Sequence, residues 1–414
     1  MLKIKPYAII LSAALVVVSC LPSYAYIVYF KNGSTAEVQN HRVQGEKVYL
    51  KMRSGEAAFD LLQLDMDKTL ADYEAGRKVV ARAKEMAARG DYPGAVKAYQ
   101  GLLVNDDDDV DIRYDLASAF AGAKRYDEAV YEYKRVLEID PNRPRARTMI
   151  GDIFYRQNNY NDAIDQYLQA LDLDMKDKEA HLGLGMCYAK QDMYEGATTE
   201  LRKAIELRPD YAAAYATLGY VYYKKSGFDE ALSTLQKAVE LDGSLPEAHY
   251  YMGLVYGVKG VETRDSKKRL DFFDKSIESF RRAVTLRREY PEAHADLGVA
   301  LYSRGSVARA VEEFKTALAQ KPDMAVAHNN LAGIYLRQGF YEEAVAEAKK
   351  SVALEPNRVE SYFIMGNAYA SMKMYKEASR AYDKYLYYSP DGDMSDEVRD
   401  RLERVLSEGG MKQE

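Results

Sequence analysis

The hydrophobic positions of this chain repeat with a period of 34 residues. Within residues 212–245, apolar and small side chains recur at helical spacing in two runs, and Gly227 lies between the runs. The same pattern returns when the window is moved by 34 residues in either direction. Such a period predicts a stack of helical hairpins, each with a first and a second helix. A stack of this kind favours a function in binding over one in catalysis.

Nine repeats follow one another in register from Gly76 onward. The sixth repeat carries 11 extra residues, and each of the others has 34. We number the positions of a standard repeat as places 1 to 34. The repeats span residues 76–109, 110–143, 144–177, 178–211, 212–245, 246–290, 291–324, 325–358 and 359–392.

Two places hold small residues in every repeat. Place 8 is always Ala or Gly, and place 20 is Ala except in the sixth repeat, which has Ser276. Most repeats have an aromatic residue at places 17 and 24, and small residues opposite large ones let two helices pack closely. Proline residues follow several second helices and open several first helices, as expected at helix boundaries. The pattern therefore specifies paired helices and their ends.

The order Leu-Gly-x-x-Tyr, Ala, aromatic, Ala, Pro resembles the tetratricopeptide repeat family over residues 76–390. The resemblance implies an all-α solenoid of nine helical hairpins that form a right-handed superhelix. One departure is general, because the Trp usual at place 4 is missing from every repeat. We expect a C-terminal cap helix over residues 393–407, with Ser395 as its N-cap, and a disordered tail over residues 408–414.

The resemblance also implies a concave groove, since places 2, 5, 9 and 12 of the first helices face it in this family. Many of these places are aromatic or apolar here, and exposed aromatic surface is typical of a partner site. The alternative is that some of these side chains pack against their own neighbours. The predicted groove residues are Tyr114, Tyr155, Leu182, Met186, Tyr220, Tyr223, Tyr250, Leu254, Val299, Tyr302, Leu336 and Phe363.

The charges at these groove places are graded along the chain. The basic residues lie in the first three repeats, and acidic residues such as Glu247 and Glu292 come later. Some of these acids favour the first turn of a helix for electrostatic reasons. The Lys and Asn pattern by which some relatives hold a terminal carboxylate is not matched. We therefore expect the partner segment to be apolar with some basic residues.

The insertion in the sixth repeat lies within residues 258–274. We expect it to lengthen either the turn or the second helix of that hairpin. Lys267, Lys268 and Arg269 make it strongly basic. Insertions in repeat proteins often map to a binding face, so these three residues are candidate contacts. A tolerated extension without a function is the alternative.

Residues 1–25 have the pattern of an export leader, with two lysines before an apolar run of 12 residues. We favour cleavage after Ala25, because strand-like sequence follows at once. Cys20 lies in a context that resembles a bacterial lipobox, so lipid attachment at Cys20 is the alternative, and an uncleaved anchor is a third. These observations predict an exported bacterial protein, periplasmic or secreted, with an outer-membrane lipoprotein as the alternative.

Residues 26–66 change from the helical period to an alternating one. Four short strands separated by turns, the first at Asn32-Gly33, predict a small β-meander or SH3-like module. We expect residues 67–75 to form a linker between this module and the repeats. A module of this size is too small to house an active site alone.

Candidate chemistry is sparse. His181, His249, His294 and His328 all occupy place 4 of different repeats, which favours helix packing over a shared metal site. The acidic run of residues 105–111 lacks the glycine of a calcium loop and is expected to be a solvated turn. Cys187 is predicted to be a buried thiol. The sequence motifs of nucleotide-binding and hydrolytic sites do not occur.

The net charge of −6 argues against nucleic acid as a partner. We therefore predict a non-enzymatic scaffold or adaptor of the bacterial cell envelope that binds a protein or peptide segment in its groove. Envelope assembly, secretion, and pilus or polysaccharide export are the processes considered. A self-assembling structural module of the periplasm is the alternative. No cofactor, metal ion or small-molecule substrate is expected, and membrane contact is expected only through a lipid anchor.

Overall fold

The computed structural model describes residues 26–31, 35–38, 40–44, 47–52, 55–60, 66–104 and 109–410. The chain divides into two compact units, unit 1 with residues 1–193 and unit 2 with residues 194–414. The expected leader, Cys20 included, lies outside the described residues, as do residues 411–414 of the expected tail. In the part of the chain that the structure describes, no helix is both long and apolar enough to cross a bilayer.

The described N-terminal residues form five strands, whereas the sequence pattern predicts four. β1 and β2 pair in one antiparallel sheet, and β3, β4 and β5 form a second antiparallel sheet. The difference arises in residues 34–43, where the alternation of apolar and polar residues is loose and two strands replace one. The strands are β1 (Tyr26–Tyr29), β2 (Thr35–Val38), β3 (Asn40–Gln44), β4 (Lys47–Met52) and β5 (Gly55–Asp60).

Seven helices follow in unit 1. The first begins at Met66, so the linker expected over residues 67–75 is helical, and this helix packs against β1. The three pairs α1–α2, α3–α4 and α5–α6 each pack as a hairpin. The helices are α1 (Met66–Ala88), α2 (Tyr92–Leu103), α3 (Val110–Gly122), α4 (Tyr126–Ile139), α5 (Pro144–Arg156), α6 (Tyr160–Leu173) and α7 (Lys178–Lys190).

Unit 2 continues the same arrangement. After α8, five hairpins follow as α9–α10, α11–α12, α13–α14, α15–α16 and α17–α18, and α19 packs on α18. The predicted solenoid of helical hairpins is confirmed. The helices are α8 (Tyr194–Leu207), α9 (Ala212–Lys224), α10 (Phe228–Leu241), α11 (Pro246–Glu262), α12 (Ser266–Leu286), α13 (Pro291–Ser303), α14 (Val307–Gln320), α15 (Ala325–Gln338), α16 (Tyr341–Leu354), α17 (Val359–Ser371), α18 (Tyr375–Tyr388) and α19 (Ser395–Glu408).

The small residues at place 8 make room for the large residues at place 24. A Cβ atom added to Gly151 would lie 2.7 Å from the ring of Tyr167, and one added to Gly366 would lie 2.3 Å from the ring of Tyr382. Both tyrosine rings are almost fully buried. In these two hairpins, the helices therefore approach as closely as they do because place 8 is Gly and has no side chain.

The turn between the helices of a hairpin centres on place 15. This place has a left-handed backbone, with φ of 61° at Ser226 in the fifth repeat and 82° at Gly339 in the eighth. Gly227, which separates the two apolar runs in the sequence, has an ordinary φ of −83°. The glycine in the sequence thus marks the loop correctly, but the residue that bends the chain precedes it.

The insertion lengthens both helices of the sixth hairpin. Helix α11 has 17 residues where α9 has 13, and α12 has 21 where α10 has 14. The loop between α11 and α12 is three residues, 263–265, as short as the loop between α9 and α10. The expected lengthening of the second helix is thus accompanied by an extension of the first, because each added turn is hydrogen-bonded and packs on its partner.

The cap helix forms at the expected place, with a different beginning. Ser395 is the first residue of α19 rather than its N-cap, and its hydroxyl donates a hydrogen bond of 2.7 Å to the carbonyl of Ser389. Ser395 is nearly fully buried, so this bond ties α19 to the end of α18. Glu408, assigned to the tail by sequence, is the last residue of the helix.

Candidate partner-binding site

The first helices of neighbouring repeats touch one another inside each unit. In unit 2, α9 contacts α11, α11 contacts α13, and α15 contacts α17. In unit 1, α1 contacts α3, and α5 contacts α7. Residues three or four apart share one face of a helix, so places 2, 5, 9 and 12 of adjacent first helices form a common surface. We call the part of this surface on α9, α11 and α13 the inner face of unit 2.

The predicted groove residues of unit 1 are all half-buried. The ring of Tyr114 meets the ring of Tyr133 edge-on, with 5.2 Å between centroids, and the rings of Tyr155 and Tyr160 are 5.6 Å apart. Leu182 and Met186 lie on α7 with only part of their surface accessible. In unit 1, the tyrosine side chains thus pack against aromatic neighbours, which is the alternative left open by the sequence.

On the inner face of unit 2, four tyrosine rings form one group. Tyr220 stacks on Tyr251 with 4.8 Å between centroids, and Tyr251 lies 5.6 Å from Tyr250. Tyr223 is 6.5 Å from Tyr220 along α9. All four are half-buried. We call Tyr220, Tyr223, Tyr250 and Tyr251 the tyrosine cluster; three of its members were predicted as groove residues, and Tyr251 was not.

A carboxylate adjoins this cluster. The hydroxyl of Tyr250 donates a hydrogen bond of 2.8 Å to Asp296 on α13. Burial raises the pKa of Asp296 to about 6, the hydrogen bond from Tyr250 opposes the rise, and the charge of Glu292 adds to it. Among the residues that the structure describes, no Lys, Arg or His side chain pairs with Asp296. Asp296 is therefore a half-buried acid held by a neutral donor.

Asp296 also acts on Tyr223, which lies two repeats earlier in the chain. Burial raises the pKa of Tyr223, and the negative charge of Asp296 raises it further. Helix α11 lies against both α9 and α13, the helices that carry these two residues. The tyrosine cluster and Asp296 thus belong to one continuous site formed by three first helices.

The other predicted groove residues of unit 2 differ in how far neighbours cover them. The guanidinium of Arg337 lies 5.7 Å from the ring centroid of Tyr302, and that of Arg401 on the cap helix lies 5.4 Å from the centroid of Phe363. Leu254 and Leu336 are half-buried, whereas Val299 is 42% exposed. Arg337 therefore covers part of Tyr302 and Arg401 part of Phe363, whereas Val299 on α13 is exposed.

The basic residues of the insertion are exposed at the start of α12. The backbone amides of Lys267 and Lys268 donate to the N-cap Asp265, and the guanidinium of Arg269 donates to the carbonyl of Thr263. Arg269 therefore closes the loop, and Lys267 and Lys268 keep their charged ends in solvent. None of these contacts involves a residue of the inner face.

The four histidines at place 4 each bond to the end of the preceding repeat. One ring nitrogen of each faces the carbonyl six residues earlier, such as Pro322 at 3.0 Å from His328. The other nitrogen of His328 lies 2.5 Å from Glu347, and that of His294 lies 2.7 Å from Glu313. Within the described residues, no group of acidic, His and Cys side chains could hold a metal ion. In these four repeats, the side chain at place 4 is thus held by hydrogen bonds where the family usually has Trp.

One residue of the acidic run differs from the expectation of a solvated turn. Asp109, from the acidic run, is a buried N-cap whose carboxylate accepts from the amides of Asp111 and Ile112, both at 3.0 Å. Residues 105–108 of that run lie outside the described residues. Cys187 is buried, as expected, and burial with the nearby Asp152 raises its pKa to about 12.

The sequence reasoning missed a set of polar pairs inside the hairpins. The hydroxyl of a tyrosine at place 24 bonds to a polar side chain at place 9. In repeats 4 to 7, place 24 is Leu or Phe, and place 9 is apolar or Tyr. This covariation between repeats was present in the sequence and would have revealed the pairs. They are Ser118 with Tyr133, Asp152 with Tyr167, and Asn367 with Tyr382.

Unit 2 also has a groove between α14, α15 and α16. Its volume is about 610 Å³, and its lining includes Ala319, Leu331 and Ala353 together with the His328–Glu347 pair. Ala319 and Ala353 occupy place 29, where most repeats have a larger residue. The small side chains open this groove on the side of the second helices, away from the places predicted for binding.

Family models for the tetratricopeptide repeat match most of the chain, which belongs to this family. Their combined coverage runs through both units and includes both hairpins beside the insertion. The matched residues are 151–192 and 186–226, 80–144 and 265–325, 120–169 and 301–357, and 212–244 and 359–391. Membership in this family defines the protein as a scaffold for protein–protein interaction. No curated protein sequence matches this chain.

Three solved structures are similar to part of this chain. The structure titled "Crystal structure of APC/C hetero-tetramer Cut9-Hcn1" has a TM-score of 0.55 at 17% identity; the match covers 76% of this chain and 59% of that one. PilF of Pseudomonas aeruginosa has a TM-score of 0.48 at 18% identity over 54% of this chain and 96% of its own. A MamA structure has 0.33 at 27% identity over 44% and 92%. At these identities, the likeness to Cut9 describes the fold alone.

Proposed function

We propose that this protein is a non-enzymatic adaptor of the bacterial cell envelope that binds an extended or helical segment of a partner protein on the inner face of unit 2. The observation that carries the proposal is the tyrosine cluster with Asp296, which joins three first helices into one partly accessible site. Tyrosine is a favoured anchor in interfaces because it combines a large apolar ring with a polar end.

The envelope location rests on the sequence of residues 1–25. A basic start, a 12-residue apolar run and a small-x-small site support export and processing after Ala25. Acylation at Cys20 would instead tether the adaptor to a membrane. The intact mass of the protein isolated from the envelope separates the two, because the mature chain begins at Tyr26 in one case and at acylated Cys20 in the other. Unprocessed protein confined to the cytoplasm would contradict the envelope role.

Site-specific photo-crosslinking in the native host tests the binding face. A photoreactive phenylalanine analogue replaces Tyr223 on the inner face, and the matched positions are Tyr131, which is 60% exposed on the second helix α4, and Ala319 in the groove between α14 and α16. We expect one discrete adduct from position 223 and none from position 131. Mass spectrometry then identifies the partner segment.

Other patterns of adducts point to other functions. An adduct from position 319 alone would move the binding site to the second helices and overturn the proposal for the inner face. An adduct at twice the mass of the chain, formed in the purified protein, would favour the self-assembling structural module. Light scattering of the protein without its partner checks this outcome, since the adaptor should be discrete in solution.

A further inference from the structure

We infer that the tyrosine cluster and Asp296 capture a positively charged side chain, a lysine or arginine, of the bound partner segment. The inference rests on the proposed function, and it names the chemistry that the inner face recognises. It follows from three features of the described residues: an acid without a cation, aromatic rings beside it, and partial solvent access to both.

The first feature is the uncompensated charge of Asp296. Nearby acids on the same surface have cationic partners, because Glu247 pairs with Arg287 and Glu292 pairs with Lys321. Asp296 instead receives one hydrogen bond, from the neutral hydroxyl of Tyr250 to its Oδ2 atom. Its Oδ1 atom remains for another donor, and a cationic donor would offset the cost of burying the carboxylate.

Asp152 in unit 1 provides the comparison within the same chain. It also lies on a first helix and accepts a hydrogen bond of 2.6 Å from a tyrosine, Tyr167. Burial raises its pKa, but the positive charge of Arg156 on the same helix lowers it. Asp152 is therefore compensated from within the protein, whereas in the described part of the chain no such cation serves Asp296.

The second feature is the set of aromatic rings. A cation over the face of a tyrosine ring is stabilised by the electron density of that face. This protein already uses such contacts, since Arg287 lies 4.8 Å from the centroid of Tyr290 and Arg337 lies 5.7 Å from that of Tyr302. Three rings interact electrostatically with Asp296, namely Tyr223, Tyr250 and Tyr290. Arg287 lies over Tyr290, whereas no cation among the described residues lies over Tyr223 or Tyr250.

The third feature is access. Asp296, Tyr223 and Tyr250 are half-buried, so each keeps part of its surface open to a ligand. Partial burial strengthens the attraction between a carboxylate and a cation, because the local dielectric is lower than that of water. Charge complementarity thus specifies a basic occupant, and it disfavours an acidic segment or a C-terminal carboxylate.

Titration with a defined pair of probes tests the inference on the full-length processed protein. N-acetyl-arginine methylamide carries the charge, and N-acetyl-citrulline methylamide has nearly the same shape without it. The signals of ¹³C-labelled tyrosine rings report binding at the inner face. We expect saturable shifts of the Tyr223 and Tyr250 signals with the arginine probe, at a dissociation constant of about 1–10 mM, and at least about tenfold weaker binding of citrulline.

Two substitutions complete the experiment. Asp296→Asn keeps an acceptor for Tyr250 and removes the charge, so arginine affinity should fall about tenfold. Asp152→Asn is the matched control and should leave the response of Tyr223 and Tyr250 unchanged. Cooperative thermal unfolding of both variants confirms that each remains folded.

Equal binding of the two probes, an unaffected Asp296→Asn variant, or no shift at 20-fold the expected dissociation constant would each overturn cation capture. None of these outcomes bears on the proposed function, which the crosslinking at position 223 decides separately. A specific adduct at position 223 together with equal binding of the two probes would mean that the inner face binds its partner through apolar contacts.

Discussion

The hydroxyl of Tyr250 on α11 donates a hydrogen bond of 2.8 Å to the carboxylate of Asp296 on α13, the first helix of the next repeat. The bond links two neighbouring hairpins at the centre of the inner face. Tyr250 therefore has two functions, because it supports the stack and it forms part of the proposed binding site. A Tyr250→Ala substitution would confound these functions, which is why Tyr223 and Asp296 are the better positions for testing binding.

The stability of unit 2 should fall as the pH rises from about 4 to 7, because of Asp296. The folded protein keeps a proton on this carboxyl up to a pH of about 6, whereas the unfolded chain loses it near pH 4. The folded state thus binds more protons between these values, and the unfolding free energy decreases by roughly 2–3 kcal/mol over this range. The groups facing Asp296 are Tyr250 on α11, Tyr223 on α9, Glu292 on its own helix and Tyr290 at the N-cap of that helix.

Hydrogen exchange of the α11 and α13 amides at pH 4.5 and pH 7.5 measures this effect. The Asp296→Asn variant should lose this pH dependence and become more stable than the natural protein at pH 7.5. Glu292→Gln is the control and should retain most of the dependence, since Glu292 pairs with Lys321. A slope unchanged by Asp296→Asn would show that other groups cause it. A carboxylate that lowers stability at neutral pH is typical of a functional site, where stability is traded for activity.

The pairs between places 9 and 24 should be energetically coupled. Tyr167→Leu alone should destabilise unit 1, because it leaves the buried carboxylate of Asp152 without its hydroxyl donor at a cost of about 1–3 kcal/mol beyond the lost packing. Asp152→Met alone leaves the hydroxyl of Tyr167 unpaired. The double variant reproduces the Met and Leu found at these places in the fourth repeat.

A double-mutant cycle on this pair, read by chemical denaturation, should give a coupling energy of about 1 kcal/mol or more. Additive effects of the two substitutions would mean that the hydrogen bond contributes little net stability. The same cycle on Ser118 and Tyr133, whose oxygens lie 2.8 Å apart, should give a smaller value because neither group is charged.

Two glycines of unit 2 should respond in opposite directions to alanine. Gly366→Ala places a Cβ atom 2.3 Å from the ring of Tyr382 and should destabilise by about 1–3 kcal/mol through overpacking. Gly333→Ala meets only Ile364, at 3.7 Å, and should stabilise α15 by about 0.5–1 kcal/mol because it restricts the unfolded chain. Thermal unfolding of the two variants provides the comparison. Similar effects of both would contradict the close approach at place 8.

The basic residues of the insertion offer a test of whether that extension binds anything. Lys267 and Lys268 lie in the first turn of α12, where a positive charge opposes the helix dipole. Replacing both by Glu should therefore stabilise this end of the helix by about 0.3–1 kcal/mol per residue. If the extension is a contact site, the same variant should weaken partner capture, measured as the yield of the adduct at position 223. Full capture with higher stability would identify a structural extension.

The fold was predictable because its rules are local and repeated. Gly151 packs against Tyr167, and Gly366 packs against Tyr382, each within a single hairpin. The same pair of places recurs at a fixed spacing along the chain. A pattern that appears nine times needs no knowledge of distant contacts. Where the repetition fails, the prediction is less accurate. The second predicted strand is replaced by β2 and β3, and the insertion lengthens both helices of its hairpin.

The site was predictable only in part. The sequence indicated a tyrosine-rich surface from Tyr220, Tyr223 and Tyr250, since the family pattern assigns their places to one face. It did not indicate Asp296, because place 6 was not among those places and nothing in the sequence pairs it with Tyr250.

By itself, the sequence determined the helical hairpins and their number, since the packing of small against large residues depends on spacing within about 30 positions. Only the tertiary structure decided which predicted groove residues are covered by neighbours, as Phe363 is by Arg401, and which acid has no cationic partner among the described residues. The physical reason is that charge compensation depends on distances between side chains of different hairpins, and long side chains reach partners that no repeat pattern specifies.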